Sequence, residues 1–255
     1  LTLAVPARAK LNLDLAVLAR ARDGFHEVRT HMQAIALHDL LELTRADRTT
    51  MTTSGSHALN PTNNSVLDAH KAMQDATGLE LPTRFHLDKR IPPGSGMGGA
   101  SSDAAAALRG LAAIHNLKAK ANIDLAKIAT RVGADVPFFL SGGAVRAEGH
   151  GERLTPLQAE PAWFAIAWPQ IELSTAAVYR AWDDVKGDGA NELTHAACHV
   201  EPRIQEFAAQ LGDAWQMTGS GSAFFRRCAD QETAQQAAAK LECWTAVTHS
   251  VEAWA

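Results

Sequence analysis

No apolar run in this 255-residue chain approaches the roughly 18 residues that a membrane-crossing helix needs. The opening stretch LTLAVPARAK is too short and too mixed to read as a signal peptide. There is no excess of basic residues: Lys and Arg total 24 against 28 Asp and Glu, a net charge of -4. A nucleic-acid surface would need the opposite balance. Cysteine is scarce and odd in number: Cys198, Cys228 and Cys243 have no C-x-x-C spacing. That argues against a disulfide framework and fits a reducing compartment, so a cytoplasmic location is expected. Tyrosine occurs once, at Tyr179.

Two metal signals fail on spacing. His26, Glu27 and His31 miss H-E-x-x-H by one residue, because the second histidine stands at i+5. His195, Cys198 and His199 are close enough to be ligands, but no second cluster accompanies them. No resident metal site is expected.

What the chain does have is an alternation of strand and helix signals. Ala9 to Val17 alternates apolar and polar residues, as a half-buried strand does. Asp23 to Glu27 reads as a turn, followed by strands over HMQAIALHDLLELTRA and TTMTTSG. Asn64 or Ser65 can cap a helix over VLDAHKAMQDATG, and TRFHLDKRI is another strand. Ser101 and Ser102 can cap an alanine-rich helix, and a second helix ends at Gly133. Beyond about residue 150 the rhythm resets, with four strands and three helices around a second glycine turn. The pattern predicts an α+β architecture in two lobes, residues 1–152 and 153–255, dividing near Arg153 to Pro161.

The densest chemical signal is IPPGSGMGGASSDAAAAL, Ile91 to Leu108. Gly94, Gly96 and Gly99 spell a literal G-x-G-x-x-G. A dinucleotide fingerprint needs a strand running into it and an acid about 20 residues on. Here Pro92 and Pro93 stop the strand, and the later stretch NLKAKAN has no acid. A Walker A loop is excluded because no Gly-Lys-Ser/Thr follows, and a protein kinase because H-R-D and D-F-G are absent. The loop still suits an anion: glycine lets backbone N–H groups converge, and a helix begins at once with its positive end toward the loop. Ser95, Ser101 and Ser102 add hydroxyls. A polyphosphate is the natural occupant.

PPGSGMGGASSDAA resembles the phosphate loop of the GHMP kinases, P-x-x-x-G-[LM]-G-x-x-S-S-x-A-A. ARAKLNLDL and MTGSGSAFF resemble the first and third motifs of that family, so the likeness runs in order across nearly the whole chain. DGFHE and GADVPFFLSGGAVRAEGHGE sharpen it toward a branch that phosphorylates a cytidyl diphosphate sugar alcohol on the non-mevalonate route to isoprenoids. The resemblance implies a ribosomal-protein-S5-like N-terminal lobe, a ferredoxin-like C-terminal lobe and an active site between them. It implies small-molecule substrates only, with no nucleic acid or membrane partner, and a monomer or weak homodimer.

The resemblance also assigns roles. Asp135 would be the general base for the substrate hydroxyl, and Lys10 would orient and polarise that pair. Asn64, Ser65, Val66 and Lys89 would lie at ATP, as would the loop Pro93, Gly94, Ser95, Gly96, Met97, Gly98, Gly99, Ala100, Ser101 and Ser102. Phe25, His26 and Tyr179 would hold cytosine; Asn12, Thr175, Gly219, Ser220 and Gly221 would touch the same substrate. Mg²⁺ would arrive with ATP, held by phosphates. Asp103 would complement the α-helix dipole with its side chain turned away from the phosphates. Two residues depart from the family pattern: Phe25 stands where tyrosine is usual, and Ala100 where glycine is frequent. Two other readings stay open: a sibling kinase acting on homoserine or mevalonate, and a catalytically silent nucleotide sensor.

Overall fold

The alternating N-terminal segment is one arm of a long antiparallel hairpin, β1 (Thr2–Arg20) with β2 (His26–Arg45). The computed structural model describes residues 2–20, 24, 26–58, 60–117 and 123–254. Phe25 lies outside the described residues. The hairpin register breaks between Arg8 and Lys10 and again between Asn12 and Asp14. Such irregularities re-aim side chains, and here they bracket Lys10 and Asn12.

β2 is long enough to hold two further partners on its other edge. β4 (Thr83–Asp88) pairs with its C-terminal half and β5 (Ala144–Gly149) with its N-terminal half. β3 (Thr50–Ser54) adds in parallel to β4, and β6 (Arg153–Leu157) antiparallel to β5, completing a six-stranded sheet. Helices α1 (Ser65–Thr77), α2 (Gly99–Ile114), α3 (Leu125–Val132) and α4 (Val136–Ser141) share a core with this sheet. Ala104 to Ala107 of α2 are all buried. Small side chains bring α2 close to the sheet; a Cβ on Gly110 would come within 2.6 Å of Leu43 Cδ1.

A second, antiparallel sheet has the order β10–β7–β9–β8. Its strands are β7 (Trp163–Trp168), β8 (Gln216–Met217), β9 (Phe224–Cys228) and β10 (Trp244–His249). With it go α5 (Thr175–Val185), α6 (Thr194–Val200), α7 (Arg203–Leu211) and α8 (Gln231–Ala238). The helix α6, which carries His195, Cys198 and His199, has no expectation behind it in the sequence. The sheets divide between Leu157 and Trp163, later than a division at 152/153, because β6 hydrogen-bonds to β5.

β1 belongs to both halves. Leu15 and Val17 pack with Leu173, Val178 and Trp182, while Ala9 and Leu11 pack with Phe164 and Ile166. The end of the chain returns to the first sheet, where Val251 N–H donates to the Ala34 carbonyl at 3.0 Å. No helix among the described residues is long and apolar enough to cross a membrane.

Candidate active site

The free edge of β1 must find partners for its N–H groups, and it finds them in loops from both halves. Lys10 N–H donates to Met97 O at 3.0 Å, Asn12 N–H to Thr218 Oγ1 at 2.9 Å, and Leu15 N–H to Ala190 O at 2.8 Å. The strand edge is thereby covered, and the two glycine loops are drawn together over Lys10 and Asn12.

The loops also hold each other. Ser222 N–H donates to Gly94 O at 3.2 Å and Ala223 N–H to Ser95 O at 3.0 Å. Contact is close enough to require glycine: a Cβ on Gly96, at φ 77°, would stand 2.2 Å from Thr218 O. On Gly219, at φ 57°, it would stand 2.9 Å from Lys10 Nζ.

Below the loops opens a cleft of about 770 Å³. Lys10 is buried at its floor. Its Nζ donates to Gly96 O at 2.6 Å and, at shorter range, to Asn12 Oδ1. Asn12 is fixed in turn by donating to Thr30 Oγ1 at 2.7 Å, and Thr30 donates to Asp14 O. Burial pulls the Lys10 ammonium below the ordinary lysine pKa, and the charge of Asp135 partly offsets this. Asp135 sits at the N-cap of α4, whose first turn is stiffened by Pro137. It also lines the cleft, and among the described residues its carboxylate has no hydrogen-bond or ion-pair partner.

In the same cleft His26 Nε2 bonds Asp183 Oδ1 at 2.7 Å, and Tyr179 stacks on the His26 ring with centroids 5.3 Å apart. Tyr179 and Asp183 share a helix face, four residues apart on α5. Burial, reinforced by Asp135, pushes the Tyr179 hydroxyl pKa upward, so it stays neutral. Thr175 at the start of α5 bonds Ser220 Oγ at 2.9 Å.

Residues 64–143 match the model of the GHMP kinases N terminal domain. A 4-diphosphocytidyl-2-C-methyl-D-erythritol kinase of Shewanella loihica is 35% identical over 252 residues, covering 92% of this chain and 88% of that protein. The chain belongs to the 4-diphosphocytidyl-2-C-methyl-D-erythritol kinase family. A relative of the same name from Ectopseudomonas mendocina is 34% identical over 94% of this chain and 87% of its own. A crystal structure of 4-(cytidine 5'-diphospho)-2C-methyl-D-erythritol kinase superposes with a TM-score of 0.82 at 30% identity, covering 97% of this chain and 99% of that one. A mevalonate kinase at 12% identity and TM-score 0.67 shares the fold alone. The chain therefore has the GHMP kinase fold and is a kinase, and membership implies ATP as a substrate.

The expected site residues distribute unevenly within this kinase fold. The cleft is lined by Lys10, Asn12, His26, Lys89, Asp135, Thr175, Tyr179, Gly219 and Ser220, and by the loop residues Pro93 to Gly96 and Gly98 to Ser101. Met97 points into the apolar core instead, and Gly221 packs against Met217 and Leu173 behind the turn. Asn64 caps α1 by accepting from Val66 N–H at 3.0 Å, and Val66 is fully buried; these two and Ser65 lie outside the cleft lining.

Three expectations need correction. Ser101 and Ser102 do not cap α2: the N-cap is Gly98, at φ 73°, and no side chain bonds there. The helix starts straight from the glycine turn, which leaves its first N–H groups free. Ser102 is buried and its hydroxyl donates to Arg8 O at 2.6 Å, so it is not aimed into the cleft. Asp103 is turned away from the loop as expected, but its partner is the Lys89 ammonium at 2.8 Å. The dipole has no part in that contact.

Sequence reasoning missed Thr30, Asp183, Asn191 and Thr218. Asn191 ties the second loop by donating to Met217 O at 2.8 Å and Gly219 O at 2.9 Å. Only Asp183 left a signal, its i+4 spacing from Tyr179.

Proposed function

We propose that this kinase transfers the γ-phosphoryl group of ATP to the 2-hydroxyl of 4-diphosphocytidyl-2-C-methyl-D-erythritol, in the non-mevalonate route to isoprenoid precursors. One observation carries the reading. A single cleft is lined by the glycine loop, by Lys10 and Asp135, and by the His26–Tyr179–Asp183 group. Such a cleft suits a long substrate with a base at one end and an alcohol at the other.

In this reading the glycine loop and the start of α2 hold the ATP phosphates through free backbone N–H groups. Asp135 accepts the proton of the 2-hydroxyl as its oxygen bonds to the γ-phosphorus. The bond from phosphorus to the β-phosphate oxygen breaks, and ADP leaves. Lys10 is held rigidly by Gly96 and Asn12 and contributes its positive charge at the point where negative charge gathers. Tyr179 offers a ring face to cytosine, and Asp183 fixes which nitrogen of His26 carries the proton. Phe25 remains part of this reading on the family resemblance alone, as do Asn64, Ser65 and Val66 at ATP.

Among the described residues no group of three or more His, Cys, Asp or Glu could hold a metal ion. Asp135, which lines the cleft with no hydrogen-bond or ion-pair partner among the described residues, is the carboxylate that would face a Mg²⁺ carried by the phosphates of ATP. Bound there, the ion would neutralise charge on the transferring group.

The test is turnover: ATP, Mg²⁺ and the cytidyl substrate, with ADP followed. Turnover of homoserine or mevalonate in place of the cytidyl alcohol would overturn the substrate. ATP binding without turnover of any of the three would point to the silent sensor.

A further inference from the structure

Beneath the glycine loop, ionisable side chains from three separate elements meet almost wholly buried. Asp39 of β2 is 0% exposed, Lys89 at the end of β4 is 2%, and Asp103 of α2 is 1%. Lys89 Nζ donates to Asp103 Oδ2 at 2.8 Å and, at shorter range, to Asp39 Oδ2. The second oxygen of Asp39 accepts from the backbone N–H groups of Arg90 at 2.5 Å and Ile91 at 2.8 Å. Those two residues lead directly into the glycine loop. Gly99, where α2 begins, rests on the same ammonium: a Cβ there would come within 2.9 Å of Lys89 Nζ.

Apolar residues of similar volume usually stabilise a core as well as buried charges do, so such a triad is better explained by the conformation it fixes. One carboxylate here grips the strand end, the loop entry and, through Lys89, the loop exit. We propose that Asp39 is a positioning residue for the nucleotide: with Lys89 and Asp103 it holds both ends of the glycine loop in the shape that meets the ATP phosphates. The inference rests on the reading of that loop as the ATP site.

The charge balance of the triad gives it a signature. Two carboxylates share one ammonium, and Asp103 Oδ1 has no hydrogen-bond partner. Burial pushes the Asp103 carboxyl up to about 8, against the pull of Lys89 and with the help of Asp39. Burial works against the Lys89 ammonium, but Asp103 and Asp39 outweigh it and raise its pKa. Asp103 therefore keeps its proton to a higher pH than a free carboxyl does, and with that proton the triad is neutral. As pH rises through about 8 the proton leaves, and a net negative charge appears under a loop built for phosphates.

The surroundings leave few rival groups. The His57 backbone donates to Lys89 O, and its ring, kept neutral by burial, faces Asp39, Lys89 and Glu172. Asp88 and Arg90 pair with each other at 2.7 Å on the surface. Lys10, across the loop, also has its pKa lowered by burial, and a variant at position 103 separates the two.

The experiment measures KM and kcat for ATP on the full chain, together with binding of a non-hydrolysable ATP analogue, from neutral pH to about 9. Asp39→Asn keeps the shape and removes the charge. It is expected to raise the KM for ATP about tenfold, with the KM for the cytidyl substrate unmoved. In the unaltered protein the KM for ATP is expected to rise above pH about 8, where the Asp103 proton leaves, and Asp103→Asn is expected to flatten that rise. An unshifted KM for ATP in a folded Asp39→Asn protein overturns the inference, as does a rise that persists in Asp103→Asn. If Asp39→Asn does not fold, the pH profile of Asp103→Asn decides alone. Failure of the unaltered protein to bind the analogue would instead remove the reading of the loop, and the inference with it.

Discussion

Lys10 Nζ and the carbonyl oxygen of Gly96 are 2.6 Å apart, joining the first β-strand to the middle of the glycine loop. A lysine ammonium has three protons to donate. Gly96 takes one and Asn12 takes another, so one remains to serve the cleft. The charge is thereby fixed in position before any substrate enters.

That position has a pH consequence. Burial lowers the pKa of Lys10, with Asp135 only partly restoring it, so the ammonium loses its proton at a lower pH than a free lysine does. The value of kcat is expected to fall as pH rises, beginning below the ordinary lysine pKa of 10.5. Lys10→Met should lower kcat by roughly 100-fold and abolish that alkaline limb. A limb that survives in Lys10→Met would assign it to another group.

Asp135→Asn keeps the size of the side chain and removes the proton acceptor. Turnover should drop by roughly 100- to 10,000-fold. Affinity for a non-hydrolysable ATP analogue, read by calorimetry, should stay within about twofold, since uniform binding is untouched. Near-normal turnover would show that Asp135 is not the base.

Tyr179→Ala removes a ring face and the partner that stacks on His26. The expected result is a KM for the cytidyl substrate raised about tenfold, with a smaller change in kcat, because stacking acts on ground state and transition state alike. Asp183→Ala should move the same constant in the same direction through His26. A loss confined to kcat would contradict this role for the pair.

Gly96→Ala tests the contact between the loops. The added methyl would sit 2.2 Å from Thr218 O, at a φ of 77° that alanine avoids. The two loops must separate, which displaces the acceptor of Lys10. Turnover should be lost even where circular dichroism shows the fold intact, and a fully active Gly96→Ala enzyme would mean that the loops are not held as seen.

Much of this could be read along the chain. The alternation from Ala9 to Val17 is a strand, and Lys10 and Asn12 do share one side of it. The strand before the glycines ends short of the prolines at 92 and 93, at Asp88, and Asn64 caps its helix. These are local signals, set by backbone geometry within a few residues. The serines misled because a hydroxyl before an alanine run has the same appearance whether it caps the helix or, as Ser102 does, reaches the carbonyl of Arg8 on a strand 94 residues away.

Asp39 shows the limit most plainly. In ALHDLLEL it is one acid in an apolar strand, indistinguishable from a residue facing water. Its partners, Lys89 and Asp103, come from elements 50 and 64 positions further on, and only the packing of α2 against the sheet brings the three together.

By itself the sequence determined the glycine loop, the order of the motifs and the family, because these depend on residue types at fixed spacing. The tertiary structure decided which of those residues share a cleft, which face the core and which charges meet in its depth. Those outcomes depend on long-range pairing along β1 and β2, where a register shift of one residue exchanges the buried face for the exposed one.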